Sequence, residues 1–126
     1  MFRNIVLVYK TKLKNHLFEK IEDIKDNFPN SNFIAIEYSS VKKELLQDAD
    51  LVLTLGGDGT FVKAANLIED SFILGINAEP NQSEGALTSL NINEIDKLKE
   101  IETSKFQVIK MQRAKIILNK KVLDEN

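Results

Sequence analysis

The 126-residue chain has no cysteine, one histidine and two prolines. Without cysteine, disulfides and thiolate metal sites are excluded. An excess of either charge is also missing. Seventeen Lys and Arg stand against 19 Asp and Glu, a formal net charge of -2, which leaves no electrostatic footprint for nucleic acid or an anionic membrane. No stretch approaches the roughly 20 apolar residues that a membrane span needs. The apolar run at residues 5–9 is too short for a signal-peptide core and has no small-residue cleavage site behind it. The expectation is a protein without a transit peptide, placed in the cytoplasm, with a mitochondrial location as the alternative. Internal repeats and low-complexity tracts are absent.

What is present is an ordinary globular composition, 43% apolar and 29% charged. At this length folding buries roughly two-thirds of the unfolded chain's surface, so a real core is possible. Ile5-Val6-Leu7-Val8-Tyr9 is a continuous, β-branched run of the kind buried on both faces of a parallel sheet. Leu13, Leu17, Ile21, Ile24 and Phe28 then recur every three or four residues and line one helix face. The cluster at residues 29–32 ends that helix. Residues 33–38 read as a second strand. Residues 41–48 read as a short helix with Leu45 inward, and 51–55 as a third strand. After a glycine-rich break, 60–68 return to a helical pattern, and 72–76 form a fourth strand. Strands alternating with helices predict an α/β fold, an open, mostly parallel, doubly wound (Rossmann-like) sheet. Ligands of such sheets sit beyond the C-terminal strand ends, where the glycine break and Asn77 both fall.

The pattern changes after residue 77. Residues 77–90 read as a polar loop. Asn93 is placed to cap a helix holding Ile95, Leu98 and Ile101, with Asp96 three residues on. From Phe106 the period becomes two and predicts one long strand through Leu118, a tight turn at Asn119-Lys120 and a return strand from Lys121. A lone hairpin of that size is marginal in water, so these residues are read as the truncated start of a second domain. The alternative is that they complete the sheet edge.

Gly56-Gly57-Asp58-Gly59-Thr60 is the most informative stretch. A buried strand enters a turn of three glycines and leaves it as a helix. Glycine tolerates positive φ and lets backbone N–H groups approach a ligand. The following helix offers an N-terminus with unpaired N–H groups and a partial positive charge, which together make a phosphate cradle. It is neither a P-loop nor a Gly-x-Gly-x-x-Gly fingerprint. Asp58 is out of place in an anion site unless it holds Mg²⁺ against phosphates or accepts a proton from an attacking hydroxyl. The plainer alternative is a tight turn with Asp58 capping the helix. His16, Lys10, Lys12, Lys42 and Lys43 read as surface residues first, although Lys10 and Lys12 follow the first strand at the ligand edge. Phe61 belongs to the nucleotide-binding set by position, but packing of helix on sheet is its first use.

These five residues after an apolar strand resemble the signature shared by NAD kinases, diacylglycerol and sphingosine kinases and, more loosely, phosphofructokinases. Phe61-Val62-Lys63-Ala64-Ala65 is similar to the NAD kinase continuation, and the glutamate usual in the lipid kinases is absent from residues 61–65. Ile73-Leu74-Gly75-Ile76-Asn77 resembles the NAD kinase strand that ends in a dinucleotide-binding asparagine. Gly85-Ala86-Leu87-Thr88 keeps the frame of the family's next motif without its phenylalanine, and Ser83-Glu84-Gly85 is more like the mitochondrial-type NAD kinases. Arg113 matches the arginine that commonly opens the family's second domain.

The resemblance implies an N-terminal α/β nucleotide-binding domain, residues 1–104, and the beginning of an all-β C-terminal domain, residues 105–126. It implies ATP, NAD and a divalent metal such as Mg²⁺ as ligands, with no metal-ligating residue assigned. It implies phosphoryl transfer to the 2′-hydroxyl of the adenosine ribose of NAD, giving NADP. Asp58 would be the catalytic base, Gly56, Gly57, Gly59 and Thr60 would contact phosphates, and Asn77 would lie beside the dinucleotide. Glu84, Thr88 and Arg113 are further candidates, and Glu79 and Ser89 weaker ones. The family's asparagine–glutamate motif has no counterpart here, since Asn93-Glu94 comes too early. The partners implied are small-molecule nucleotides and further copies of the complete protein. Two alternatives stay open: a nucleotide-binding remnant without catalysis, and a diacylglycerol-type lipid kinase.

Overall fold

The computed structural model describes residues 2–10, 16–79, 88–103, 106–111 and 114–119. Strand β1 (Asn4–Tyr9) leads to helix α1 (Leu17–Lys25) and strand β2 (Asn32–Glu37). A 3₁₀ turn and the single-turn helix α2 (Lys43–Leu46) precede β3 (Leu51–Gly56). Helix α3 (Asp58–Leu67) joins β3 to β4 (Phe72–Asn77). Beyond them lie the short β5 (Leu90–Asn91), a 3₁₀ segment (Ile92–Thr103), β6 (Phe106–Met111) and β7 (Ala114–Asn119). All seven strands join one sheet in the order β2-β1-β3-β4-β7-β6, with β5 also pairing with β4. Every pairing is parallel except β6 with β7. The doubly wound α/β fold expected from the alternation is present.

The apolar runs of β1, β3 and β4 have covers on both sides, and β3 is buried along its whole length. On one face Ile5, Leu7, Leu51, Leu53, Leu74 and Ile76 meet Ile21 and Ile24 of α1 and Leu98 and Ile101 of the 3₁₀ segment. On the other, Val6, Val8, Val52 and Ile73 meet Leu46 of α2 and Phe61 and Ala64 of α3. Odd and even positions of the same strand serve opposite layers, as the pleat requires. Among the described residues no helix is long and apolar enough to cross a membrane.

Four local expectations are corrected. In α2 the inward residue is Leu46, 1% exposed, while Leu45 is 44% exposed, because a single helical turn has one inward face and the chain enters it from buried Val41. The 3₁₀ segment is capped at Asn91, not Asn93: Asn93 N–H donates to Asn91 Oδ1 (2.9 Å) and Asn91 N–H to Glu94 Oε1 (3.2 Å). That is the reciprocal arrangement of a capping box. The alternation from Phe106 is two antiparallel strands, with Met111 opposite Ala114, rather than one long strand. His16 stands in the left-handed region (φ 62°) just before α1 rather than within it, with Nδ1 3.2 Å from Glu19 Oε2. Leu13, Lys12 and the expected return strand from Lys121 lie outside the described residues.

Candidate functional site

In the strand order β2-β1-β3 the chain winds outward in both directions from β1, so the crevice between β1 and β3 is a topological switch point. The glycine turn sits there, because β3 ends at Gly56 and α3 begins at Asp58. Only Gly57 separates them, and it is the N-cap of α3 with no side chain to bond the first turn. Asp58 is therefore the first helical residue and not the cap. Hydrogen bonding within α3 begins with Phe61 N–H donating to Gly57 O (3.2 Å). The leading N–H groups of a helix have no acceptor inside it, and they carry its partial positive charge. Half-buried Asp58 brings the only carboxylate of the turn into that first turn.

The glycines work differently from the sequence expectation. Among the described residues no glycine has positive φ. Gly56 is needed for close approach: a Cβ there would lie 2.6 Å from Thr60 Oγ1 and 3.1 Å from Thr60 Cβ. At Gly57 and Gly59 an added Cβ would meet nothing within 4 Å, so these two line open space in front of the helix. Thr60 is buried and its hydroxyl has no hydrogen-bond partner; the same holds for Thr54 on β3. Such orphaned hydroxyls are uncommon in a native core.

Gly56 pairs in register with Asn77, so the ends of β3 and β4 lie side by side. Asn77 is buried and its Oδ1 accepts the N–H of Glu79 (3.0 Å), which turns the chain out of β4. Ala78 N–H donates to Gly56 O (3.2 Å) and binds that exit to the glycine turn. The chain returns at Thr88 and Ser89. Buried Ser89 donates its N–H to Gly75 O (2.9 Å) and its hydroxyl to Ile117 O (2.7 Å). Asp58, the glycines, Thr60 and Asn77 thus come together, with Glu79 and Thr88 at the two feet of the loop. Glu84 and Arg113 lie outside the described residues. Phe61, 1% exposed, packs α3 onto the sheet and has no open face for a base.

One feature was not singled out in the sequence. Lys63 of α3 donates to Tyr38 O (2.8 Å) and its Nζ lies 4.1 Å from the centroid of the Tyr38 ring, while Lys10 Nζ lies 4.3 Å from the same ring. Tyr38 follows β2 and Lys10 follows β1, so both cations stand on the C-terminal edge of the sheet. Their meeting is non-local, and only the position of Lys10 after a strand hinted at it. Among the described residues no group of three His, Cys, Asp or Glu could hold a metal by itself.

The chain matches the family described as ATP-NAD kinase N-terminal domain over residues 2–106. It is 33% identical over 111 residues to an NAD kinase of Clostridium beijerinckii, covering 84% of this chain and 37% of that protein. To an NAD kinase of Clostridium botulinum it is 38% identical over 109 residues, 81% of this chain and 35% of the relative. A shorter match, 35% identical over 82 residues, joins it to a human protein named mitochondrial NAD kinase 2, with 59% of this chain and 18% of that one covered. The chain thus spans about a third of the length of the clostridial relatives.

Proposed function

The chain belongs to the ATP-NAD kinase family, and from that premise we propose that it is the nucleotide-binding part of an NAD kinase. The reaction proposed is phosphoryl transfer from ATP to the 2′-hydroxyl of the adenosine ribose of NAD, giving NADP. One observation carries this reading. A helix N-terminus with no side-chain cap, fronted by two glycines that line open space, stands at the switch point of a doubly wound sheet with a single carboxylate in its first turn.

Gly57 and Gly59 let the phosphates approach the first-turn amides of α3. Gly56 and Thr60 set the distance between strand and helix. Asn77, held by the turn to Glu79, fixes the edge against which the dinucleotide lies, and Thr88 brings the loop back. Asp58 accepts the proton of the attacking hydroxyl. Its position at the mouth of an anion site, and not in a capping role, supports that use. The residues present fit a divalent ion of the Mg²⁺ type, which needs only one or two carboxylates beside substrate phosphates. Asp58 is the residue here that would face it, and the ion, when bound, neutralises charge on the donor's phosphate oxygens.

Residues 105–126 are proposed as the beginning of a second, β domain, although β7 also pairs with β4 at Phe72–Lys115 and Ile73–Ile116. The complete protein is proposed to self-associate and to act in the cytoplasm. The test is calorimetric titration with NAD and with ATP–Mg²⁺, alongside an assay for NADP on the same sample. Binding of both, with NADP formed by this chain or by the longer protein containing it, is expected. A longer protein that binds neither nucleotide would sink the reading.

A further inference from the structure

Gly75 is central to β4 yet faces the α3 layer with no side chain. A Cβ there would lie 2.8 Å from Phe61 Cδ2, 3.1 Å from Thr88 Cγ2 and 3.2 Å from Thr88 Cα. Two segments far apart in sequence therefore converge on one vacant side-chain position. Phe61 is in the first turns of α3, directly after the glycine turn. Thr88 lies just before β5. The carbonyl of Gly75 accepts the N–H of Ser89, so the Thr88–Ser89 segment is fastened to the same residue by backbone as well as by contact. Ala78, just past β4, is fastened to the glycine turn through its N–H and Gly56 O.

The sheet also opens at this place. β4 pairs with β7 only at Phe72 and Ile73, and with β5 at Ile76 and Asn77. Between those two pairings Ser89 spans the gap, its N–H on Gly75 and its hydroxyl on Ile117 of β7. Strand pairing is interrupted there, so the placement of Thr88 and Ser89 depends on what rests against Gly75.

We propose that Gly75 is a positioning residue that locks the glycine turn and the Thr88–Ser89 segment into one unit, by seating Phe61 and Thr88 on the same bare stretch of β4. This rests on the reading that both segments touch one nucleotide ligand. Gly75 itself touches no ligand; it sets the spacing between two groups that do. Interiors at native density transmit a displacement of this size instead of absorbing it. A Cβ at Gly75 pushes Phe61 and Thr88 apart together, whereas a smaller residue at 61 makes room for it.

Amide hydrogen exchange on the unliganded chain tests this without a nucleotide, so its failure is distinct from failure of the proposed function. The proteins compared are the unaltered chain, Gly75→Ala, Phe61→Leu and the double variant. In Gly75→Ala the amides of Ser89 and Phe61 are expected to exchange about tenfold faster or more, with amides of the β1–β2 ladder changed by less than about threefold. In the double variant both are expected to recover to within about threefold of the unaltered chain. Acceleration of only one of the two amides, uniform acceleration through the sheet, or no recovery in the double variant would overturn the proposal. If Gly75→Ala does not fold, Phe61→Leu decides. A faster Ser89 amide with β1 unchanged supports the lock, and an unchanged Ser89 amide overturns it.

Discussion

Thr60 Oγ1 stands 2.6 Å from the point that a Gly56 side chain would occupy, so α3 can start two residues after β3 only because position 56 carries no Cβ. Gly59, three residues on, has open space where its side chain would be. The two glycines therefore separate a structural requirement from a functional one. Gly56→Ala is expected to destabilise the chain by about 1–3 kcal/mol through overpacking. Gly59→Ala, in a helical position at negative φ, is expected to leave stability unchanged or raise it by about 0.4–1 kcal/mol. Its cost is to fall on nucleotide binding, because the methyl group enters the space before the first-turn amides. Thermal or urea unfolding paired with titration of NAD and ATP–Mg²⁺ checks both. A Gly59→Ala protein that binds as well as the unaltered chain would remove the phosphates from this turn.

Asp58 lies in the first turn of α3, where a carboxylate is favoured by the helix dipole and is not needed as a cap. Asp58→Asn keeps the size and hydrogen-bonding reach of the side chain and removes its basicity. In the longer protein, turnover is expected to fall by about 10²- to 10⁴-fold, the usual worth of a general base, with NAD affinity changed little. Steady-state kinetics of NADP formation measures this. Near-normal turnover would show that Asp58 is not the base.

The strands and the turn were legible because they depend on short-range patterning. The runs at β1, β3 and β4 are apolar at consecutive positions, which suits burial in both layers, and the glycine turn joins a strand to a helix in either reading. What was not legible depends on pairing partners. Asn91 and Asn93 are each followed three residues later by a carboxylate, so local sequence offers two equal caps. Pairing of Leu90–Asn91 with β4 decides for Asn91. Between Met111 and Ala114, which oppose each other, the sequence holds Gln112-Arg113, polar residues without the Gly, Pro, Asn or Asp that signal a turn. The proximity of Lys10 and Lys63 to Tyr38 arises from β1, β2 and α3 meeting at one edge, which no spacing encodes. At Gly56 positive φ is the explanation that sequence suggests first, whereas the requirement is close approach to Thr60, which depends on how α3 folds back against the end of β3.

Ser89, placed among the weaker loop contacts, is a structural bridge. Its hydroxyl donates to Ile117 O at 2.7 Å while its N–H holds Gly75 O, and the residue is buried. Ser89→Ala removes the donor and leaves a buried carbonyl without it, which costs about 1–3 kcal/mol. Ser89→Thr, which keeps the hydroxyl, is expected to cost less than Ser89→Ala if its added methyl group can be placed. Urea unfolding of the two variants compares them. Loss of less than about 0.5 kcal/mol in Ser89→Ala would mean that the bond contributes nothing net.

Thr54 gives the opposite case, a hydroxyl that is 1% exposed on β3 with no hydrogen-bond partner. Its register partner on β4 is Gly75, so the side chain lies in the layer beneath α3 and next to the bare position already described. Burying a hydroxyl without a partner costs about 1–3 kcal/mol on protein scales, and valine has nearly the same shape without that cost. Thr54→Val is therefore expected to stabilise the unliganded chain, by about 1 kcal/mol once the difference in local packing is allowed for. Thermal unfolding of the unliganded protein reads this directly. A destabilised Thr54→Val would mean that the hydroxyl is satisfied in solution, by a bridging water beneath the first turn of α3. In that case Thr60, orphaned in the same layer, would be expected to share that water, and Thr60→Val should be destabilising too. If Thr54→Val stabilises while Thr60→Val lowers nucleotide affinity, the two hydroxyls part company: one is a tolerated cost of the strand, and the other is held in reserve for the ligand.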